Sequence, residues 1–204
     1  MRKKIYTFIF ILLAVFLLLY FVWTLAANIQ KEAFKRHLSE EWSIDLNDEK
    51  IETDGFPFKF GIKVSNFQIP LKNIPLSLQF LKLEIVRLIY NFSDVILFVE
   101  KLMITSMDYP GFSSTSDKLK VSIFGRPFSG RFRLITEQED WQIFDDRNIK
   151  RFEAKNVLFA LKDMDEMKLD FYLRATDLDL RFLKNIQNGN SEKPSELIFK
   201  GKIF

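Results

Sequence analysis

The chain contains no cysteine, which excludes disulfide cross-links, thiolate zinc sites and a cysteine nucleophile. His37 is the only histidine, so metal sites with several histidine ligands are excluded and a Ser-His-Asp triad would have to use this residue. Only seven glycines occur, and none forms a glycine-rich phosphate loop. We therefore expect a protein that is not an enzyme and that carries no cofactor or metal.

Beyond its first four residues, the chain also lacks an excess of basic over acidic residues or the reverse. The formal charge of +3 equals the contribution of Arg2, Lys3 and Lys4, and the other 27 basic residues balance the 27 acidic ones. Because basic and acidic residues are interspersed rather than clustered, the pattern excludes the electrostatic footprint of a nucleic-acid-binding protein. The acidic group Asp163, Asp165 and Glu166 lacks the spacing of a calcium loop and is more typical of a hairpin turn.

One long hydrophobic run is present at the N-terminus. Residues Ile5 to Ala27 contain no charge, and a helix of this length covers the ~30 Å hydrocarbon core of a bilayer. The length favours an uncleaved anchor over a signal peptide, although "TLAAN" offers a cleavage site as the alternative. Arg2, Lys3 and Lys4 place the N-terminus in the cytoplasm by the positive-inside rule, and the rest of the chain across the membrane.

Three segments follow from this pattern: a basic tip and anchor over residues 1–27, a helical stalk over 28–41, and a β domain over 42–204. The stalk, "NIQKEAFKRHLSEE", has a narrow apolar stripe. A helix that packs on the edge of the following domain explains this stripe better than a membrane-surface helix does. Within the stalk, His37 is typical of a solvated residue.

Beyond residue 42 the apolar residues recur with a period of two, which predicts strands. A first strand is predicted at Trp42, Ile44 and Leu46, and the longest alternation runs from Met167 to Ala175. Turn signals separate the alternating runs: "DYPGFSS", "GRPFSG", "EQED", "DDRN" and "KDMDE". The sequence therefore predicts a mainly β fold, an antiparallel meander of nine or ten strands preceded by a transmembrane helix and a short helical stalk.

A sheet of this kind has one apolar and one polar face. We expect the apolar face to carry six residues that line a core or contact lipid: Phe58, Phe60, Ile62, Val64, Leu169 and Phe171. Phe67 and Ile69 fall on the opposite parity, which predicts a bulge near Ser65 and Asn66 that returns them to this face. Periodicity alone favours a closed two-layer core over an open lipid groove, because such a core would absorb most of the phenylalanines.

The stretch "DGFPFKFGIKVSNFQIP" contains a turn motif formed by Gly55, Phe56, Pro57 and Phe58. Gly55 permits a positive φ, Pro57 fixes its own φ and extends Phe56, and Phe58 is expected to begin the strand. Asp54 is expected to accept backbone hydrogen bonds in this turn.

The anchor, the stalk and "GFPFKF" together resemble the opening of the bacterial family known as domain of unknown function 2125. The later "IVRLIYNFSDVILFVEKLMI" is similar to the strand, tyrosine-containing turn and strand of that family. The chain is shorter than family members usually are and stops in "ELIFKGKIF", so we expect either a minimal version or a truncated one. The resemblance implies a bacterial inner-membrane protein that faces the periplasm, with kinship to AsmA-like proteins.

The anchor, the phenylalanine-rich alternating strands and this resemblance together predict two alternative functions. The first is to bind or guide phospholipid through the apolar sheet face in envelope maintenance. The alternative is a non-catalytic envelope scaffold that binds other proteins through its sheet edges.

Overall fold

The computed structural model describes residues 2–42, 44, 50–71, 74–88, 91–109, 111–126, 132–163, 169–180 and 196–203. One helix precedes ten strands, with the following bounds: α1 Arg2–Trp42, β1 Ile51–Asp54, β2 Lys59–Pro70, β3 Leu76–Leu88, β4 Asn91–Ser106, β5 Ser113–Phe124, β6 Arg133–Phe144, β7 Lys150–Asp163, β8 Leu169–Thr176, β9 Asp179–Leu180 and β10 Glu196–Ile203.

Helix α1 joins the predicted anchor and the predicted stalk without a break. No glycine or proline interrupts residues 2–42, so the ladder of backbone hydrogen bonds continues through both parts. The helix is long and apolar enough to cross a membrane, with a mean hydropathy of 2.8 in its most apolar window. The side chains of residues 5–22 are exposed, whereas Ala27 and Leu38 in the second half of the helix are buried.

The strand predicted at Trp42, Ile44 and Leu46 is wrong. Trp42 still belongs to α1, and Leu46 lies outside the described residues. The Ile44 amide donates to the Leu38 carbonyl at 3.2 Å and its side chain packs against the core, so the alternating pattern here reflects a helix end followed by a packed connection.

The strands form one antiparallel sheet in the order β1-β2-β3-β4-β5-β6-β7-β8-β10. β9 pairs with β7 in the same register as β8 does, so it continues the path of β8 beyond Asp177 and Leu178. The predicted mainly β meander preceded by a long apolar helix is confirmed. The closed two-layer core is not found: within the described residues every strand belongs to this single sheet.

Each central strand reverses the side-chain alternation at one line that crosses the sheet, which we call the crease. At this line the ladders of paired residues are interrupted, and because the register is the same on both sides of the gap, the skipped residues lie across from one another: Asn66, Leu81, Lys101, Asp117, Asp140, Lys155 and Asp177. On alternate strands the crease residue has a left-handed backbone, with φ near 50° at Asn66, Lys101, Asp140 and Asp177. The bulge predicted near Ser65 and Asn66 is wrong, because the register of β2 with β3 is the same on both sides of Asn66 and no extra residue is inserted. Its predicted effect is found, since Phe67 and Ile69 pack in the same core as Val64.

Two further local predictions have different outcomes. "EQED" was expected to be a turn, yet it lies inside β6, where Asp140 supplies the crease conformation instead of ending the strand. "DDRN" does connect β6 and β7, and the described part of "DYPGFSS" connects β4 and β5. Most of "GRPFSG", the "MDE" of "KDMDE", and Met167 lie outside the described residues.

Candidate functional site

The register of the strands places most apolar side chains on one side of the sheet, which we call the inner face. Residues opposite one another on neighbouring strands project to the same face. One row across the inner face consists of Ile62, Ile85, Leu97, Val121, Thr136, Phe159, Leu173 and Phe199. The next row toward the β1–β2 turn consists of Phe60, Arg87, Val95, Ile123, Leu134, Leu161, Phe171 and Gly201.

The deepest burial on the inner face follows the crease. In each strand that crosses the crease, two inner-face side chains lie on either side of it and are three residues apart in sequence. Val64 and Phe67 are this pair in β2. Val64 and Ala154 are 0% exposed, while the crease residues themselves are exposed on the opposite side. The inner-face side chains therefore pack most closely along the crease.

Helix α1 covers one end of the inner face, where it packs against β1 and β2. Leu38 belongs to the core cluster that contains Val64 and Phe67, and Phe34 packs against that cluster. Toward the sheet centre the inner-face side chains, such as Phe159 on β7 and Leu173 on β8, are only half-buried. Within the described chain, the central strands therefore present an apolar surface that α1 does not cover.

A cavity of about 320 Å³ lies between α1 and the inner face. Four residues of the helix and four of the sheet line it: Gln30, Ala33, Phe34, His37, Phe60, Ile62, Ile85 and Arg87. Arg87 is the one cation in its inner-face row, where Phe60 and Val95 flank it on the neighbouring strands. No described residue forms a hydrogen bond or ion pair with its guanidinium. The cavity thus combines apolar walls with an exposed positive charge at its rim.

The outer face carries rows of cross-strand ion pairs. Lys118 pairs with Glu139 at 2.9 Å and Lys120 with Glu137 at 3.1 Å. The hydrogen bond to Glu139 raises the pKa of Lys118 above its ordinary value. Near the β1–β2 turn, a hydrogen bond to Asp54 likewise raises the pKa of Lys63. The outer face is therefore charged and the inner face apolar, as expected of an antiparallel sheet with one face in water.

Five of the six side chains predicted for the apolar face occupy it. Phe60, Ile62 and Val64 are buried beneath or beside α1, whereas Leu169 and Phe171 lie half-buried on β8 at the far side of the sheet. The predicted place of Phe58 on this sheet face is wrong. Strand β2 begins one residue later, and Phe58 is 74% exposed in the turn because the backbone does not become extended until Lys59.

The turn motif contributes its other aromatic ring to a contact with α1. Gly55 adopts the expected positive φ of 102°. The Phe56 ring packs edge-on against Phe16, Tyr20 and Trp23, with centroids 5.4–5.8 Å apart. Instead of accepting backbone hydrogen bonds in the turn, Asp54 pairs with Lys63.

The sequence did not reveal Arg87 or the crease as features of the inner face. Arg87 reads as an ordinary polar residue within β3, and only the register with Phe60 shows its position. The crease does leave a signal, since apolar pairs spaced by three residues recur in most strands, as in Leu83 and Phe80 or Val99 and Leu102. Sequence reasoning detected it in β2 alone.

The remaining predicted residues form no recognisable reaction centre. His37 is exposed and lines the cavity described above. Asp163 is buried at the end of β7, while Asp165 and Glu166 lie outside the described residues. Among the described residues, no group of three His, Cys, Asp or Glu side chains could hold a metal ion.

No family model, curated protein or solved structure matches this chain in the comparisons. The likeness to domain of unknown function 2125 and to AsmA-like proteins therefore stays a prediction based on the residues quoted above.

Proposed function

We propose that this protein is anchored in a bacterial inner membrane by α1, with its sheet in the periplasm, and binds phospholipid acyl chains on the inner face in envelope maintenance. One observation carries this proposal: an apolar sheet face that, within the described residues, α1 covers only at β1 and β2. Contiguous apolar surface of this kind marks a binding site for a hydrophobic partner.

The chemistry of the inner face suits a flexible hydrocarbon chain. Its central rows consist almost wholly of aliphatic and aromatic side chains, with no carboxylate in either row described above. Removing a methylene group from water contributes about 0.8 kcal/mol. A surface built from rows of apolar side chains therefore binds an acyl chain more tightly the longer that chain is, and it does not require a specific pattern of polar groups.

Arg87 supplies a complementary group for the lipid head. An arginine guanidinium forms paired, charge-assisted hydrogen bonds with a phosphate. Since Arg87 lies in the inner-face row that begins at Phe60, a phosphate bound there would leave its acyl chains directed along the apolar rows. In this arrangement the exposed cation gains a partner and the apolar face gains a cover.

A photo-reactive amino acid at neighbouring positions of β7 tests the proposal. Phe159 projects to the inner face and Leu158 to the outer face, and both are half-buried. We expect benzoylphenylalanine at position 159, but not at 158, to cross-link phospholipid in cell membranes. The exposed position 19 of α1 is the positive control. Absence of lipid from position 159 while position 19 reacts would disprove acyl-chain binding.

Orientation is tested separately by reporter fusions after residue 204. A reporter active only outside the cytoplasm should give signal, because Arg2, Lys3 and Lys4 hold the N-terminus inside. Signal from a cytoplasmic reporter instead would reverse the proposed topology.

The edge strand β10 supports a second candidate function, a scaffold that binds other envelope proteins. In the described sheet β10 pairs on one side with β8, and its Leu197, Ile198 and Phe199 are exposed. An unpaired edge can accept a strand from another protein. Photo-reactive groups at position 198 that cross-link protein, combined with an unreactive position 159, would favour the scaffold.

A further inference from the structure

The turn formed by Gly55–Phe58 lies beside the apolar part of α1 and not beyond its end. The Phe56 ring is 5.4 Å from both Phe16 and Tyr20. Both helix residues belong to the charge-free stretch that ends at Ala27. A segment of the β domain therefore lies alongside the part of the helix that is apolar enough to cross a membrane.

Helix geometry gives the depth of this contact. At a rise of about 1.5 Å per residue, Tyr20 lies about 10 Å, and Trp23 about 6 Å, before Ala27 along the axis. The Phe56 ring also contacts Phe16, about 16 Å before Ala27, so its three helix contacts centre on Tyr20, about 10 Å inside the end of the apolar stretch. Amphipathic segments that bind the membrane interface bury their apolar side chains to a similar depth of about 5–10 Å.

The side chains of the turn suit such a location. Phe58 is 74% exposed although it belongs to the most apolar residue class, and Pro57 carries no amide hydrogen that would need a partner in hydrocarbon. The Gly55 carbonyl accepts a hydrogen bond from the Lys59 amide at 3.0 Å. Such internal pairing reduces the cost of placing this part of the backbone in lipid.

Polar groups define the boundary just behind the turn. The Trp23 indole Nε1 donates to the Lys59 carbonyl at 3.1 Å, a position typical of tryptophan at a membrane interface. The Lys59 ammonium reaches Glu84 at 3.5 Å. Charged side chains therefore begin where the turn ends, which is the order expected on crossing from hydrocarbon into the headgroup layer.

We propose that the Gly55–Phe58 turn inserts into the hydrocarbon of the membrane leaflet next to the sheet, with Phe56 against α1 and Phe58 in contact with lipid. The partner is the bilayer that α1 spans, so the inference rests on the membrane anchoring in the proposed function. Phe60 is the first inner-face residue after the turn. Insertion makes the inner face continuous with the bilayer, which gives acyl chains a path without an aqueous gap.

Single-cysteine variants test this directly, because the chain has no cysteine of its own. Phe58→Cys, Leu19→Cys and Met107→Cys place one fluorescent label on the turn, on α1 and at the opposite end of the sheet. Each label would be measured on the full chain in phosphatidylethanolamine–phosphatidylglycerol vesicles, with iodide as the aqueous quencher and doxyl-labelled lipid as the membrane quencher. Met107 is 54% exposed, so its label reports free access to water.

We expect the position 58 label to be quenched by doxyl lipid and protected from iodide, as the position 19 label is. Quenching by iodide as strong as at position 107 would overturn insertion. A position 19 label that is accessible to iodide would overturn the membrane span itself. Insertion and acyl-chain binding are distinguishable, because the label reports the turn while the cross-link at position 159 reports the inner face.

Discussion

The indole of Trp23 stacks on the ring of Phe60, with centroids 5.9 Å apart and an interplanar angle of 8°. The same indole donates a hydrogen bond to the Lys59 carbonyl and meets Phe56 edge-on. One side chain of the apolar helix therefore fixes the start of β2 and the preceding turn. The position of the inner face relative to the apolar part of α1 depends on this attachment.

Replacing Trp23 tests the attachment. Trp23→Phe keeps an aromatic ring but removes the hydrogen bond, so we expect the free energy of unfolding to fall by about 1 kcal/mol. Trp23→Ala also removes the ring contacts, each of which contributes about 0.5–1.5 kcal/mol. Urea unfolding of detergent-solubilised protein measures both. Phe21→Leu, at a 61% exposed position of the same helix, should have little effect; equal losses in all three variants would contradict a specific role for Trp23.

The crease predicts opposite effects of glycine at two facing positions. Lys101 has φ 51°, while Asp117, which opposes it on β5, has no positive φ. A left-handed residue that carries a Cβ costs about 1–2 kcal/mol, so Lys101→Gly should raise the free energy of unfolding by about 0.5–1 kcal/mol after the entropic cost of glycine. Asp117→Gly should lower it by about 0.5–1 kcal/mol. Destabilisation of the same size at both positions would show that the Lys101 conformation carries no strain.

The carboxylate of Asp145 is expected to stabilise the fold at neutral pH and to lose this effect in acid. Its carboxylate accepts hydrogen bonds from the Ile149 and Arg147 amides at 2.8 and 3.0 Å and from the Arg151 side chain. The Ile149 bond first, and then Arg151 and Arg147, lower the pKa of Asp145. A lowered folded-state pKa gives stability that is present above the unfolded value of about 3.9 and is lost as pH falls through the folded value.

We therefore expect Asp145→Asn to unfold at a lower temperature than the wild type at neutral pH. The difference should shrink as the pH falls below about 3.9, because the wild-type carboxyl then also becomes protonated. Thermal unfolding followed by circular dichroism measures this. Asp146→Asn alters the exposed neighbouring carboxyl and is the control. A difference that stays constant down to the lowest pH would rule out the charged hydrogen bonds as its source.

The composition of the lipid that co-purifies with the protein is expected to depend on the charge of Arg87. Arg87→Gln should reduce the anionic phospholipid that co-purifies with the protein by about tenfold or more, since hydrogen bonds to charged groups contribute about 1.5–3 kcal/mol. Arg133→Gln removes an arginine from the outer face and should change nothing. Native mass spectrometry of the detergent-solubilised protein measures the bound lipid. An unchanged anionic fraction in Arg87→Gln would exclude this residue as the headgroup contact.

Much of the fold could be predicted because it depends on local chemistry. Charge-free residues 5–27 determine a helix that can span a membrane, and the absence of glycine and proline lets it continue to Trp42. The alternation from Phe60 to Val64 determines which side chains share a face, because the period of a strand is two. Gly55 marks the turn through its positive φ. None of these properties needs information from distant parts of the chain.

The errors arise where tertiary contacts override a local pattern. "EQED" has the composition of a turn, yet Asp140 remains in β6 because its neighbours on β5 and β7 continue to pair on both sides. Phe58 fits the alternation but lies outside β2, since Phe56 and Trp23 hold the turn against α1. Trp42 fits a strand pattern and ends a helix instead.

The sequence by itself determined the long apolar helix, the strand-rich domain and the apolar identity of one sheet face, because length, charge and periodicity are properties of neighbouring residues. Only the tertiary structure decided that the strands form a single sheet, that Arg87 lies among apolar residues, and that the turn at Phe56 packs beside the helix. The physical reason is that each of these features depends on pairing between strands far apart in sequence. Register across the sheet, and not the pattern within any one strand, aligns the crease residues and brings Arg87 beside Phe60.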